Sequence, residues 1–404
     1  MQHIPLRTAS PVGPLDDLAP FLELAATRSV IGLGEATHGT REAFQLKHRL
    51  IRALAEEGDL KTLAFECGLA AGRLIDGYAR WGHGSARDAL QKQGFWCWEN
   101  HEVLALIEWL REHNLHLAPD ERIAFVGIDV QKIETGLPEL LAALESLTAF
   151  GSLHVSKSDL GSGIVQDAAQ AIQWLLEEPK HGDGRAAGVV RTLTQAAPVL
   201  PTPELRALCR NAARYVDTYL NPEHEDGLAK RDEYLAATAL EALAERPGLM
   251  VVWAHNEHVA INPDFFGTRA MGLHLREALG NGYLALGMLF DQGAFLARTW
   301  GERSTNRVAE FRIGRAGKGH VERSLAGKPL GIIDTAKAPT DYGAQATPYR
   351  RFLGNLYDHE VNAQRPDAFR IERPLTDFDL IAWLPNTQAA RYLGAATTLT
   401  AGQV

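Results

Sequence analysis

Short apolar runs alternate along this chain with longer stretches in which apolar residues return every three or four positions. The short runs Ser29–Leu33, Thr62–Phe65, Arg122–Ile128, Gly248–Ala254 and Tyr283–Phe290 predict strands covered on both faces, because they carry almost no polar alternation. The 3.6-residue spacing predicts helices over Leu18–Thr27, Arg41–Glu57, Leu69–Ala79, His101–His113 and Thr268–Leu279. In the second of these, Phe44, His48, Ile51, Leu54 and Ala55 fall near one face, and Gly58 follows as a stop. Helical patterns separate most of the strands, which predicts a parallel sheet. Shorter β-like runs follow at Phe295–Thr299, Leu330–Asp334 and Phe378–Leu384.

From Pro138 to Arg246 the texture changes: Ala, Leu and Glu dominate and β-branched runs become scarce. Helical stretches are expected near 138–149, 163–177, 185–220 (broken around Pro198–Pro203) and 226–246. The expected fold is α/β, with a mostly parallel central sheet flanked by helices. Residues 1–135 and 249–404 would form the core. Residues 136–248 would form a helical insertion, a lid or side wall along one side of an active-site cleft, unless they are simply long crossover helices.

Four of the apolar runs end in an ionisable residue: Glu35 with His38 on the same turn, Glu66, Asp129 and His255. If the strands are parallel, these tips share the carboxyl edge of the sheet, where open α/β sheets bind ligands. A base within reach of a water, with a carboxylate behind it to fix its tautomer, is what acid–base chemistry needs. Gly34 and Gly39 bracket the Glu35/His38 turn. Each tip also has a plainer explanation. Asp129 suits the N-cap of a following helix, and His255 suits an ordinary core histidine. The pair His113 and His116, at the end of a helix, shows how readily His-x-x-His arises among 15 histidines.

Composition narrows the classes. A net charge of −9 without basic runs argues against general nucleic-acid binding. No apolar run approaches the roughly 20 residues of a membrane helix. The opening MQHIPLRTAS lacks the pattern of a signal peptide, so a cytoplasmic protein is expected. Cys67, Cys97 and Cys209 are odd in number and widely spaced, which suits a reducing compartment. No Gly-x-Ser-x-Gly elbow is present and no cysteine has an activated setting, so a water activated by His38 fits better than a serine or cysteine nucleophile.

The residues also resemble a known family. Gly34-Glu35-Ala36-Thr37-His38-Gly39, the run Gln45–Arg52, Phe65-Glu66, Phe95–Trp98, Gly127–Gln131, Trp253–His258 and Met271-Gly272-x-His274-Leu275 are similar to the erythromycin esterase family. The resemblance spans about residues 30 to 295 and continues more weakly to the end. It implies an α/β core with a helical subdomain, a deep cleft between them, and hydrolysis of a macrolide lactone ester. It also implies that His38 is the general base, with Glu35 its neighbour and Glu66, His255 and His258 completing the polar floor. Arg231-Asp232 falls where the family carries an Arg-Asp pair on a helix of the insertion, although Leu235 stands where Met is common. His255, His258 or Arg231 would offset charge on the oxyanion, and Arg231 and Asp129 belong to the substrate-binding set. Trp96 and Trp98 would line an apolar substrate wall or pack in the core.

The expected partner is therefore a small molecule, a macrolide or related ester. No metal or cofactor is expected, and the sequence assigns no oligomeric state. Two alternatives keep the same residues. One is a non-hydrolytic cyclisation, elimination or acyl transfer in natural-product biosynthesis. The other is a metal-dependent hydrolase, since the residue types permit divalent-ion ligation but no diagnostic spacing is present.

Overall fold

The structure is a computed structural model that describes residues 3–154, 160–222, 227–261, 268–299, 307–336, 349–364, 370–372 and 375–394. Its strands are β1 (His3–Pro5), β2 (Val30–Leu33), β3 (Leu60–Gly68), β4 (Ala124–Asp129), β5 (Leu249–Trp253), β6 (Tyr283–Thr299), β7 (Val308–Ile313), β8 (Gly331–Asp334), β9 (Tyr349–Arg351), β10 (Leu356–Tyr357), β11 (Arg370–Glu372) and β12 (Leu380–Thr387). The main sheet runs in the order β1-β8-β12-β6-β2-β5-β3-β4. From β12 to β4 every neighbour pair is parallel. At one end β8 pairs antiparallel with both β12 and β1, and β7 pairs antiparallel with the outer half of β6. The fold is thus mixed α/β with a mostly parallel sheet.

Alternation along the central strands explains the double cover. Ile31, Leu33, Val251 and Trp253 join one apolar cluster, while Val30, Met250 and Val252 join another on the opposite face. With a side-chain period of two, both faces are apolar and both need a layer of helices. Helices Arg41–Glu56 and His101–Leu115 cover the first face through Phe44, Ile51, Leu106 and Leu110. Helices Gly227–Glu245 and Met271–Leu279 cover the second through Leu235, Ala239, Met271 and Leu275.

Between β4 and β5 the chain runs through helices Leu137–His154, Leu160–Leu176, Ala186–Ala196, Pro203–Tyr219 and Gly227–Glu245. Leu140, Leu144, Ile172, Leu193, Leu208 and Val216 pack there into an apolar cluster of their own. The last helix differs, because its apolar side joins the cluster on the sheet face. No helix of the described residues is long and apolar enough to cross a membrane.

Two local outcomes depart from the pattern. Tyr283–Phe290 and Phe295–Thr299 are one continuous strand of 17 residues, β6. Gly293 lets it continue: its φ is +139°, and a Cβ there would lie 2.2 Å from the carbonyl oxygen of Thr387. Helix Ala86–Lys92 was not expected, although Ser85 caps it through a 3.1 Å bond from the Asp88 amide.

Candidate active site

Strands β2, β5, β3 and β4 are consecutive neighbours, so their carboxyl ends stand side by side. The turn after β2 brings Glu35 and His38, the end of β3 brings Glu66, the end of β4 brings Asp129, and the turn after β5 brings His255 and His258. Arg231 arrives from helix Gly227–Glu245. All seven are buried.

His38 Nδ1 lies 3.0 Å from Glu35 Oε1. The other Glu35 oxygen takes a hydrogen bond from the Lys47 ammonium, which also donates to the carbonyl of Ala254 at 3.1 Å and sits 4.4 Å from the Trp253 ring centre. Burial lowers the Lys47 pKa and Glu35 opposes the shift, leaving it at about 8. A carboxylate bonded to Nδ1 makes that nitrogen the donor, so Nε2 of His38 carries the lone pair. Trp98 meets the His38 ring edge to face at 5.1 Å and donates from Nε1 to the Glu66 carbonyl at 2.8 Å. Trp96 is buried against Tyr392 instead. The turn is held from outside as well: a Cβ on Gly39 would lie 2.1 Å from the Leu296 carbonyl oxygen on β6.

The His255 ring centre is 4.9 Å from that of His38. His255 Nδ1 accepts the Glu257 amide at 3.3 Å, so its proton sits on Nε2, 3.4 Å from the Ala36 carbonyl oxygen. Burial, reinforced by His38, holds its pKa well below the usual histidine range, so the ring is neutral. The Asn256 amide donates to the Glu35 carbonyl at 2.9 Å and stitches the two turns together.

A second cluster lies beside this pair. Arg231 donates from Nε and Nη2 to Asp129 at 3.1 and 2.6 Å, and from Nη2 to Glu66 Oε1 at 2.9 Å. Asp129 Oδ1 also accepts the Gln131 amide at 3.0 Å, so the Asp129 carboxylate is committed to Arg231 and its own loop. Glu66 Oε2 accepts the His255 amide at 2.8 Å. Burial would raise the Glu66 pKa, but His258, His38 and Arg231 outweigh it and keep it well below the usual range. His258 Nδ1 donates to Asp232 Oδ1 at 2.8 Å, and Arg231 Nη1 lies 2.9 Å from its Nε2. Burial lowers the proton affinity of His258, yet Asp232 and Glu66 raise its pKa to about 10. The neutral ring accepts from Arg231. The protonated ring donates towards Glu66 Oε1 at 3.3 Å and opposes Arg231 Nη1.

Every residue singled out in the sequence except Trp96 therefore touches one of two joined clusters. Lys47, Asp232 and Glu257 occur within or beside the quoted motifs, but the pattern gave Lys47 and Glu257 no role. Among the described residues no group of three His, Cys, Asp or Glu is arranged to hold a metal ion.

A sequence model described as erythromycin esterase matches residues 55–387. The chain belongs to the erythromycin esterase family. That match includes Glu66, Asp129, Arg231, His255 and His258 and begins after the Glu35/His38 turn. The chain is 26% identical over 363 residues to an erythromycin esterase type II of Escherichia coli, covering 81% of this chain and 84% of that one. Two solved structures share the fold. A succinoglycan biosynthesis protein superposes with a TM-score of 0.79 at 21% identity, over 97% of this chain and 96% of the other. The erythromycin esterase EreC, a mutant in its open conformation, superposes with a TM-score of 0.70 at 16% identity, over 98% of this chain and 100% of the other. Family membership supports a hydrolase acting on a small molecule.

Proposed function

We propose that this protein is an ester hydrolase that opens a macrolide lactone or a related ester with a water activated by His38. The observation that carries the proposal is the Glu35–His38 pair: a buried carboxylate holds Nδ1 at 3.0 Å and leaves Nε2 as the acceptor. A water on Nε2 gives its proton to His38 as its oxygen attacks the ester carbonyl, and Glu35 stabilises the imidazolium that forms. The neutral His255 ring, 4.9 Å away, shares its Nε2–H, which lies 3.4 Å from the Ala36 carbonyl oxygen, with the developing oxyanion. Collapse of the tetrahedral intermediate expels the alkoxide, which takes the proton back from His38. Arg231 holds Glu66, which in turn holds the His255 amide. The helix before β5 contributes Arg231 to this floor, and the apolar Trp98 ring forms part of the setting of His38.

The protein would be tested by mass spectrometry against a panel of macrolides and simple lactones. Hydrolysis yields a product heavier by one water, and the His38→Ala protein should yield none above background. A product of unchanged mass from the wild type would favour cyclisation or elimination instead.

A further inference from the structure

We propose that Arg350 and Phe352, which lie outside the parallel strands, are positioning residues that fix the tautomer and the plane of the His255 ring. This rests on the role given to His255 above. His255 is the N-cap of the short helix Asn256–Val259, and its Nδ1 is the group that accepts the Glu257 amide. Whatever anchors this helix therefore decides which ring nitrogen keeps the proton.

The anchor comes from β9. Arg350 is fully buried and donates from Nη2 to Glu257, with distances of 2.9 and 3.2 Å to its two carboxylate oxygens. The same Nη2 lies 3.1 Å from Asp377 Oδ2. The carbonyl of Asp377 accepts the Ile261 amide at 2.9 Å, just beyond the helix. One guanidinium thus ties the side of the helix, and the chain that follows it, to the segment around residue 377. Nε and Nη1 of Arg350 are buried and make no hydrogen bond among the described residues, whereas Nη2 meets both carboxylates. Two residues along, the Phe352 ring stands perpendicular to the His255 ring at 6.1 Å and limits its rotation. Both act through His255.

The test uses the full-length chain, with ¹⁵N-labelled histidine rings observed by NMR and erythromycin as the kinetic probe. In the wild type, His255 should show a single neutral tautomer protonated at Nε2 across neutral pH. Arg350→Met should give mixed tautomers, and kcat should fall about 10–100-fold with KM nearly unchanged. Arg350→Lys, which keeps a cation beside Glu257, should restore the single tautomer. Phe352→Leu keeps the backbone and the ion pairs, and should broaden or shift the His255 ring signals. It provides the test if Arg350→Met does not fold. Folded variants whose His255 signals match the wild type would overturn the proposal. The NMR result stands apart from esterase activity: a fixed tautomer lost in the variants supports the positioning role even if erythromycin is not cleaved.

Discussion

Nδ1 of His38 lies 3.0 Å from Oε1 of Glu35, and both side chains are buried. The geometry commits the proton to Nδ1 and the lone pair to Nε2. Glu35→Gln keeps the shape and removes the charge that would stabilise an imidazolium. In this substitution kcat should fall by about 10²–10⁴ while KM changes little. Steady-state kinetics on the best substrate of the panel checks this. A Glu35→Gln enzyme within twofold of the wild type would remove the carboxylate from the mechanism.

Lys47 holds the second Glu35 oxygen inside the protein. Lys47→Met leaves a buried carboxylate without its cation, and unfolding free energy should drop by about 3–5 kcal/mol. Adding Glu35→Gln to Lys47→Met should recover part of the loss, because no charge is then left unpaired. Urea denaturation of the two single variants and the double variant reads the coupling. Strict additivity would mean that the pair is not energetically linked.

Asp232 and Glu66 raise the pKa of His258 to about 10 against burial, from an ordinary value near 6.5. A group whose folded pKa is raised contributes stability that is fully present below its unfolded pKa and is lost as pH rises through the folded one. The wild type should therefore be more stable than Asp232→Asn by the widest margin at about pH 6, and the margin should shrink towards pH 10. Lys47 also titrates within this range, at about 8, but it is common to both proteins and cancels in the difference. Denaturant titrations at several pH values measure the margin. A margin independent of pH would show that the Asp232–His258 bond does not depend on the proton.

Gly39 has no room for a side chain, because the backbone of Leu296 crosses it. Gly39→Ala should cost about 1–3 kcal/mol and should move the neighbouring His38 enough to reduce kcat about 10²-fold. Thermal melts and kinetics check both halves. An enzyme with unchanged Tm and kcat would show that β6 does not fix the turn.

The strand tips were legible because each of these central strands is a short apolar run that leads into an ionisable residue, as at Phe65-Glu66 and Trp253-Ala254-His255. Parallel pairing then brings them together without any further signal. Lys47 was not legible. It stands three residues after Phe44 and four before Ile51 on the apolar side of helix Arg41–Glu56, where a lone lysine reads as a side chain reaching out to solvent, and only packing shows it turned inward to Glu35. Asp129 reads equally well as a helix cap, yet it accepts Arg231 from about 100 residues further along. Arg350 and Phe352 had no pattern to reveal them, since β9 is three residues long and its strand partner β11 is equally short. Helix Ala86–Lys92 did leave a trace, the Ser85-x-x-Asp88 spacing of a helix start.

The most direct test of the central claim is turnover in ¹⁸O-labelled water, with wild type and His38→Ala compared on the same ester. The wild type should place one ¹⁸O in the new carboxylate, and His38→Ala should do so about 10²–10⁴ times more slowly. A His38→Ala protein that incorporates the label at the wild-type rate would contradict water activation by His38.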